Sequence, residues 1–490
     1  MATFQLICAN QAPDNTKCNN TGRFACKNCL LVTVGATFPM KISSLSANLD
    51  FLQYCGPECQ KSHWTVHKLD CKSHLGRESW QPGWVLENRA PAFIGNGPPQ
   101  VTYGAGKYLW GNVPAFDVLR LGANEGVSYD EQLRLLFAAS GDLRNVVKTI
   151  AKLPDSYTQS IEVTMNDRDL NIVARNVIML LISLVVDDVD IAADCIIHVW
   201  SAWDDLLSFT DTPKGLTSSR VYDIRKAVTL AEGRKDYRDR HLLLQYPSYR
   251  IALTRFREDG LLLPFGAARD AFRHPNPWPM YDNADPLNGW SSKDVQETQT
   301  GPATADIYGK LFTSLRTVLR AFLRRLLSSQ TSFKLFYMDA SALPKFLENS
   351  TFSRIEVSNI SDAGYLGIYR TLDLMIPLLQ SPLVNPHATL ITLFMNAVDE
   401  NATEIERLTD MKADGLVMKR IYNVVELFAV LVCGIARLVG AAMKGSYTVI
   451  EKWPFKLKLR PGQTGAQEEF DRLLGGGVSS KERYVEWKRV

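Results

Sequence analysis

The chain has 490 residues, long enough for two or three domains with large cores. Apolar residues make up 46 % and charged residues 22 %, the balance of an ordinary globular protein and not of a disordered or fibrous one. The 55 Lys and Arg against 52 Asp and Glu leave a formal charge of +3 with no concentrated basic face, which argues against nucleic acid as a partner.

Seven of the nine cysteines fall between Cys8 and Cys71. Met1 to Leu6 has neither the basic n-region nor the apolar h-region of a signal peptide, so a reducing compartment is expected, cytoplasmic or nuclear. Clustered Cys and His in such a compartment read as metal ligands, not disulfides. Cys26-x2-Cys29 and Cys55-x3-Cys59 are chelating pairs, and His67-x3-Cys71 puts imidazole and thiolate one helical turn apart. With Cys8 and Cys18 they make eight ligands, which suits two closed tetrahedral zinc sites of the structural kind. His63 is a rival ligand.

The order of these residues resembles the MYND zinc finger, through Tyr54 before Cys55, Gln60 after Cys59, Trp64 and the closing His67-Lys-x-x-Cys71. The resemblance implies interleaved sites: Cys8, Cys18, Cys55 and Cys59 on one zinc, and Cys26, Cys29, His67 and Cys71 on the other. It also implies a protein partner bound through a short proline-containing peptide. Two departures stand out. Cys8-x9-Cys18 is wider than the family's first pair, and 25 residues separate Cys29 from Cys55 where the family has a much shorter spacing. Deleting 34–53 restores a short spacing. Val34 has a codon beginning GT, Gln53 can be CAG, and Ala47-Asn48 can be spelled GCTAAC, so 34–53 reads either as a translated retained intron of a fungal-type gene or as a surface loop. The finger is assigned to 1–75. Because so small a module needs its metal to fold, Cys59→Ser or Cys71→Ser is expected to unfold it and leave residues after 110 folded.

Residues 76–112, with Pro82, Pro91, Pro98 and Pro99, read as a linker packed on the next domain through Trp80 and Trp84. Next come an apolar strand from Leu133, a break at Gly141-Asp142 and a helix over Leu143–Ile150. A second strand lies at Ile161–Met165, then a turn at Asn166-Asp167 and a long apolar helix over Leu170–Val186. Strand, turn, helix, repeated, opens a doubly wound α/β sheet and places Gly141 beside Asp167 at its carboxyl edge.

Residues 191–330 read as a helical insertion, with Trp200, Trp203, Tyr222 and Tyr249 as candidate core aromatics. A helix over Ala303–Leu327 stacks Arg316, Arg320 and Arg324, either a solvated face with carboxylate partners or an anion-binding stripe. Strands return at Phe352–Ser358 and Thr389–Met395 around a helix at Leu372–Leu379, and Tyr447–Trp453 with Phe455–Leu459 read as a closing pair. The fold class expected is therefore α/β. A Rossmann-like sheet is built from 113–190 and 331–490, with the insertion between. The apolar run Ile421–Met443 carries Glu426 and Arg437 with too short an uncharged stretch between them to span a bilayer, so it reads as a buried helix and no membrane is expected.

Gly141, Asp142 and Asp167, with Asn359 and Asp362 after a later strand, are the candidates for binding a nucleotide-type cofactor. The layout resembles S-adenosylmethionine-dependent methyltransferases, which implies Asp167 on the ribose hydroxyls. Ala138-Ala139-Ser140-Gly141 lacks that family's other glycines, and the Ala139 and Ser140 side chains crowd a backbone that must approach a ligand. There is no Gly-x-Ser-x-Gly elbow, no phosphate loop and no SET-like segment, so no catalytic residue is assigned. Cys195 and Cys433 lie in apolar runs and read as inert thiols.

Leu135-Leu-Phe-Ala-Ala-Ser-Gly141-Asp142-Leu-Arg-Asn-Val and Asn166-Asp167-Arg-Asp-Leu-Asn-Ile-Val-Ala-Arg-Asn176, joined to the finger, resemble a group of fungal proteins. Their second domain is similar to the N-terminal domain of axonemal dynein preassembly factors. The resemblance implies a methyltransferase-like domain used in protein handling. The expected function is a zinc-binding interaction or assembly factor; the alternative is a methyltransferase acting on a protein held by the finger.

Overall fold

The computed structural model describes residues 26, 28–29, 31, 57–94, 110–111, 113–201, 218–243, 245–267, 285–300, 303–396, 434, 436–445, 448–450, 459, 462–465 and 482–490. The chain divides into two compact units. One comprises Met1–Pro114, Val186–Thr317 and Gly475–Gly477, the other Ala115–Val185, Val318–Leu474 and Val478–Val490.

The second unit holds a seven-stranded sheet: β1 Leu133–Phe137, β2 Ile161–Asp167, β3 Thr331–Tyr337, β4 Arg354–Glu356, β5 Thr389–Phe394, β6 Ala441–Met443 and β7 Arg483–Arg489. Their order is β3-β2-β1-β4-β5-β7-β6. Strands β1 to β5 run parallel, and β7 is antiparallel to both β5 and β6. Central β5, Thr-Leu-Ile-Thr-Leu-Phe, is buried at every position, as a parallel strand covered on both faces requires. The order reverses between β1 and β4, so the chain leaves their carboxyl ends in opposite directions and opens a crevice there. Leu136, Ile355, Leu372, Met375, Leu390 and Trp487 belong to one buried cluster. The Trp487 indole N–H donates to Thr392 Oγ1 at 3.0 Å.

Two sequence expectations change here. Strand β3 comes directly after a long helix and was not foreseen, because its apolar positions alternate with Ser332 and Lys334 at the sheet edge. The antiparallel pair that closes the sheet is β6 with β7, and the expected pair Tyr447–Trp453 with Phe455–Leu459 lies for the most part outside the described residues. Of the first of those segments, Thr448–Ile450 is described and is not strand: the Val449 and Ile450 N–H groups donate to the buried Glu486 carboxylate at 2.9 and 2.8 Å instead of to a ladder. Of the second, only Leu459 lies within the described residues, as does only the end of Ile421–Met443.

The first unit contains α1 Pro57–Cys71 and a set of helices from the middle of the chain. Its tryptophans Trp110, Trp200 and Trp290 meet edge to face with centroids 5.7 to 6.3 Å apart. Trp200 is fully buried and Tyr249 partly so, while the side chains of Trp203 and Tyr222 lie outside the described residues. Arg316 pairs with Asp194 at 2.8 Å and Asp190 at 3.4 Å, a local carboxylate set for the start of the arginine stripe. Two helices from this region bear on the site, α3 Lys235–Leu243 and α4 Pro247–Asp259; α2, Leu170–Val185, belongs to the sheet unit.

Candidate functional site

Helix α1 carries His67 and Cys71 four residues apart on one face, opposite the turn at Cys26–Cys29. Cys26 Sγ lies 3.7 Å from Cys71 Sγ, and Cys29 Sγ 3.6 Å from His67 Nε2. All four ligand atoms fall within 4.8 Å of one another, so the group could hold a metal ion. Burial lowers the His67 pKa against the pull of Asp70 and keeps the imidazole neutral, as a ligand must be. Burial first, and then the neighbouring Cys26, push the Cys71 thiol up. A bound cation reverses that balance by stabilising the thiolate. These are the residues expected on one of the two zincs. Of the other expected set, Cys59 lies on α1 outside the cluster of four, and Cys8, Cys18 and Cys55 lie outside the described residues, as does 34–53.

The metal cluster sits against helices. Past Cys71 the chain makes a short turn at His74–Gly76, packed on α4. Arg250 of α4 donates to the Arg77 carbonyl at 3.2 Å and to Leu75 O at 3.5 Å, and lies 4.8 Å from the Trp80 ring centroid. Asp236 and Asp239, on α3, take the next stretch: Arg89 reaches both Asp236 oxygens, and the Gly83 N–H donates to Asp239 at 2.9 Å. A cleft of about 550 Å³ opens beside the cluster, lined by Cys29, Leu31, Cys71, Tyr246, Tyr249 and Lys310 among others. That volume falls in the range of ligand pockets.

At the carboxyl edge of the sheet the chain leaves β1 through Ala139 and Gly141, with φ of +54° and +65°. The Ala139 and Ser140 N–H groups donate to Asn166, to Oδ1 at 3.2 Å and to the carbonyl at 2.9 Å. The Gly141 N–H donates to Asp167 Oδ2 at 3.0 Å, and Asp167 Oδ1 accepts from the Asp169 N–H at 2.9 Å. Gly141 and Asp167 are thus side by side, as the sequence implied, and bonded to each other. Asp142 is buried against Arg144, whose Nε lies 2.9 Å from both its oxygens. Asn359 and Asp362 bond each other after β4, and Asp362 also accepts from the Met395 and Asn396 N–H groups.

Sequence reading missed Glu356 and Arg175. Glu356 ends β4 fully buried, and desolvation lifts its pKa to about 7 even though the Ser358 N–H donates to it at 2.7 Å. Arg175 is buried within the field of Asp142, Asp167 and Asp169. The signal for Arg175 was a charged residue inside an apolar run, and for Glu356 a charged residue between Ile355 and Val357 in an expected strand.

Residues 109–203 match the family described as Domain of unknown function (DUF4470), which takes in β1, β2 and the turn at Gly141 and leaves the cysteine-rich segment uncovered. No curated protein and no solved structure matches the chain. Among the described residues no helix is long and apolar enough to cross a membrane.

Proposed function

We propose that this chain is a zinc-binding protein-protein interaction or assembly factor whose sheet domain is a degenerate, non-catalytic relative of the methyltransferases. The observation that carries the metal half is the spacing of the four ligands. In a zinc tetrahedron with bonds of ~2.3 Å to sulfur and ~2.0 Å to nitrogen, adjacent sulfurs stand ~3.8 Å apart and sulfur to nitrogen ~3.5 Å. Cys26 to Cys71 at 3.7 Å and Cys29 to His67 at 3.6 Å fit those edges. A closed set of three thiolates and one imidazole leaves no position for substrate, so the role is structural. Together with the MYND-like order of residues it supports a finger with a second zinc on Cys8, Cys18, Cys55 and Cys59. The cleft beside the cluster, with Tyr246 and Tyr249 in its wall, is where a proline-containing peptide of a partner would lie.

The occupied state of Asp167 supports the degenerate reading. Both its oxygens already accept backbone N–H bonds, one from the glycine turn itself, so the carboxylate that would take a ribose holds the loop closed. The doubly wound strand order and the left-handed Gly141 favour the second reading, a methyltransferase that binds S-adenosylmethionine at Gly141, Asp142 and Asp167. Calorimetric titration of S-adenosylmethionine into the zinc-loaded protein, with Asp167→Ala as control, separates the two. No heat in either protein is the expected result; micromolar binding lost in the variant replaces the proposal with the enzyme. Zinc measured by mass spectrometry on the same sample is expected at two equivalents per chain, and a metal-free protein that keeps its fold overturns the finger.

A further inference from the structure

The wall of the cleft beside the Cys/His cluster carries a lysine that no carboxylate of the described residues pairs with. Lys310 lines the cleft with Tyr246, Tyr249, Gln296 and Glu78, all within the first unit. Its ammonium donates to the Gln296 carbonyl at 2.7 Å and enters no ion pair among the described residues. Asp306, the carboxylate whose field reaches it, is held by the backbone: Oδ1 accepts from the Gly309 N–H at 2.8 Å and Oδ2 from the Phe265 N–H at 2.7 Å. Burial outweighs Asp306 and lowers the Lys310 pKa, so the cation is partly stripped of water without a full counter-charge. Glu78, the wall's carboxylate, is exposed, and its field acts on Arg250. Tyr246, half exposed, meets Tyr249 with ring centroids 5.4 Å apart and planes at 73°, which makes an aromatic corner.

We propose that the cleft selects a peptide with an acidic residue close to its proline, Lys310 taking the Asp or Glu carboxylate and the Tyr246–Tyr249 corner the proline ring; this rests on the reading of the cleft as the peptide site. A proline-rich segment docks on aromatic side chains with its extended backbone already ordered. The ammonium keeps donors to spare beyond the one bonded to the Gln296 carbonyl, and a carboxylate fills them. A cation already partly desolvated by the protein loses less water when that carboxylate arrives, and the charge-assisted bond is stronger than a neutral one. A neutral peptide leaves the charge without a partner and a basic one is repelled by it, so Lys310 discriminates between peptides as well as holding one.

A library of short peptides with proline fixed at the centre and the flanking positions random, captured on the immobilised zinc-loaded full chain, tests this. The expected result is enrichment of Asp and Glu at a position near the proline. The best binder, followed by fluorescence anisotropy, should weaken about tenfold on Glu→Gln in the peptide, and equally on Lys310→Gln in the chain. Lys310→Glu should move the enrichment to Lys and Arg. Lys310 lies in the first turn of the helix Ile307–Ser328, where a carboxylate is favoured, so this variant suits the fold; Lys310→Gln alone decides if it does not. Proline peptides enriched with no acidic position overturn the inference and leave the cleft a peptide site, as does an acidic preference that Lys310→Gln leaves unchanged. Enrichment of no peptide at all overturns the underlying reading as well.

Discussion

Arg250 and Arg77 join the metal cluster to the helices: the guanidinium on α4 donates to the Arg77 carbonyl at 3.2 Å, six residues beyond the last ligand, Cys71. The same side chain bonds Leu242 O at 3.1 Å and faces Trp80. Residues Met1–Pro114 and Val186–Thr317 fall in one compact unit, so the Cys/His cluster shares its unit with α3 and α4. The expectation that a ligand variant would leave everything after residue 110 folded therefore changes.

Chelation of the metal, or Cys71→Ser, is expected to expose the backbone amides of α3 and α4 as well as those of α1. Hydrogen exchange read by mass spectrometry on the full chain checks this. If α3 and α4 keep their protection while 57–76 loses it, the coupling is absent. Arg250→Ala should weaken the same unit by about 2 kcal/mol, the sum of lost hydrogen bonds and one cation–π contact, without touching the Cys/His cluster itself.

Gly141 is held at φ +65° with open space around its Cα, so Gly141→Ala meets no clash and bears only the cost of a left-handed alanine, about 1 kcal/mol. Asp167→Asn leaves one carbonyl oxygen for two backbone N–H groups, so one bond loses its charge and the other N–H faces the amide NH2; the change should cost about 1 to 3 kcal/mol. Urea unfolding measures both. A loss at Asp167 no larger than that at an exposed Asp would mean that the carboxylate is free for a ligand after all.

Glu356 gives the sheet domain a pH dependence of definite sign. Burial raises its pKa from the ordinary 4.5 to about 7, so between those values the folded chain binds a proton that the unfolded chain has lost. Its contribution is complete below about pH 4.5 and is lost as pH rises through 7, a change of up to about 3 kcal/mol. Glu356→Gln stays uncharged and should flatten that part of the profile, making the variant relatively more stable at pH 8 than at pH 5. The ratio of variant to wild-type stability in urea at the two pH values decides it.

Half of the expected metal site was legible because chelation fixes spacing: Cys26-x2-Cys29 and His67-x3-Cys71 admit few geometries, and their atoms converge as read. Strands β1 and β2 were legible because short apolar-rich segments, Leu-Arg-Leu-Leu-Phe and Ile-Glu-Val-Thr-Met, run straight into turn residues at Gly141-Asp142 and Asn166-Asp167. β6 escaped because it has three residues, and Val449-Ile450 misled because β-branched composition says nothing of where an N–H group bonds. Leu170–Val186 read as a long apolar helix, but composition alone could not tell that its polar residues face inward.

A buried ion pair lies at the opposite end of β4. Arg354 is fully buried and reaches both oxygens of the equally buried Glu125, at 2.8 and 2.9 Å, while the Asn385 amide adds a weaker bond at 3.4 Å. Desolvating two charges offsets most of their attraction, so the pair adds little net stability, but removing one partner strands the other in the interior. Glu125→Gln should therefore cost about 3 to 5 kcal/mol. Adding Arg354→Met to Glu125→Gln removes the stranded cation and should restore part of that loss, although two residues are then changed. Urea midpoints of the wild type, both single variants and the double variant complete the cycle. Strictly additive losses would show that the two side chains do not depend on each other.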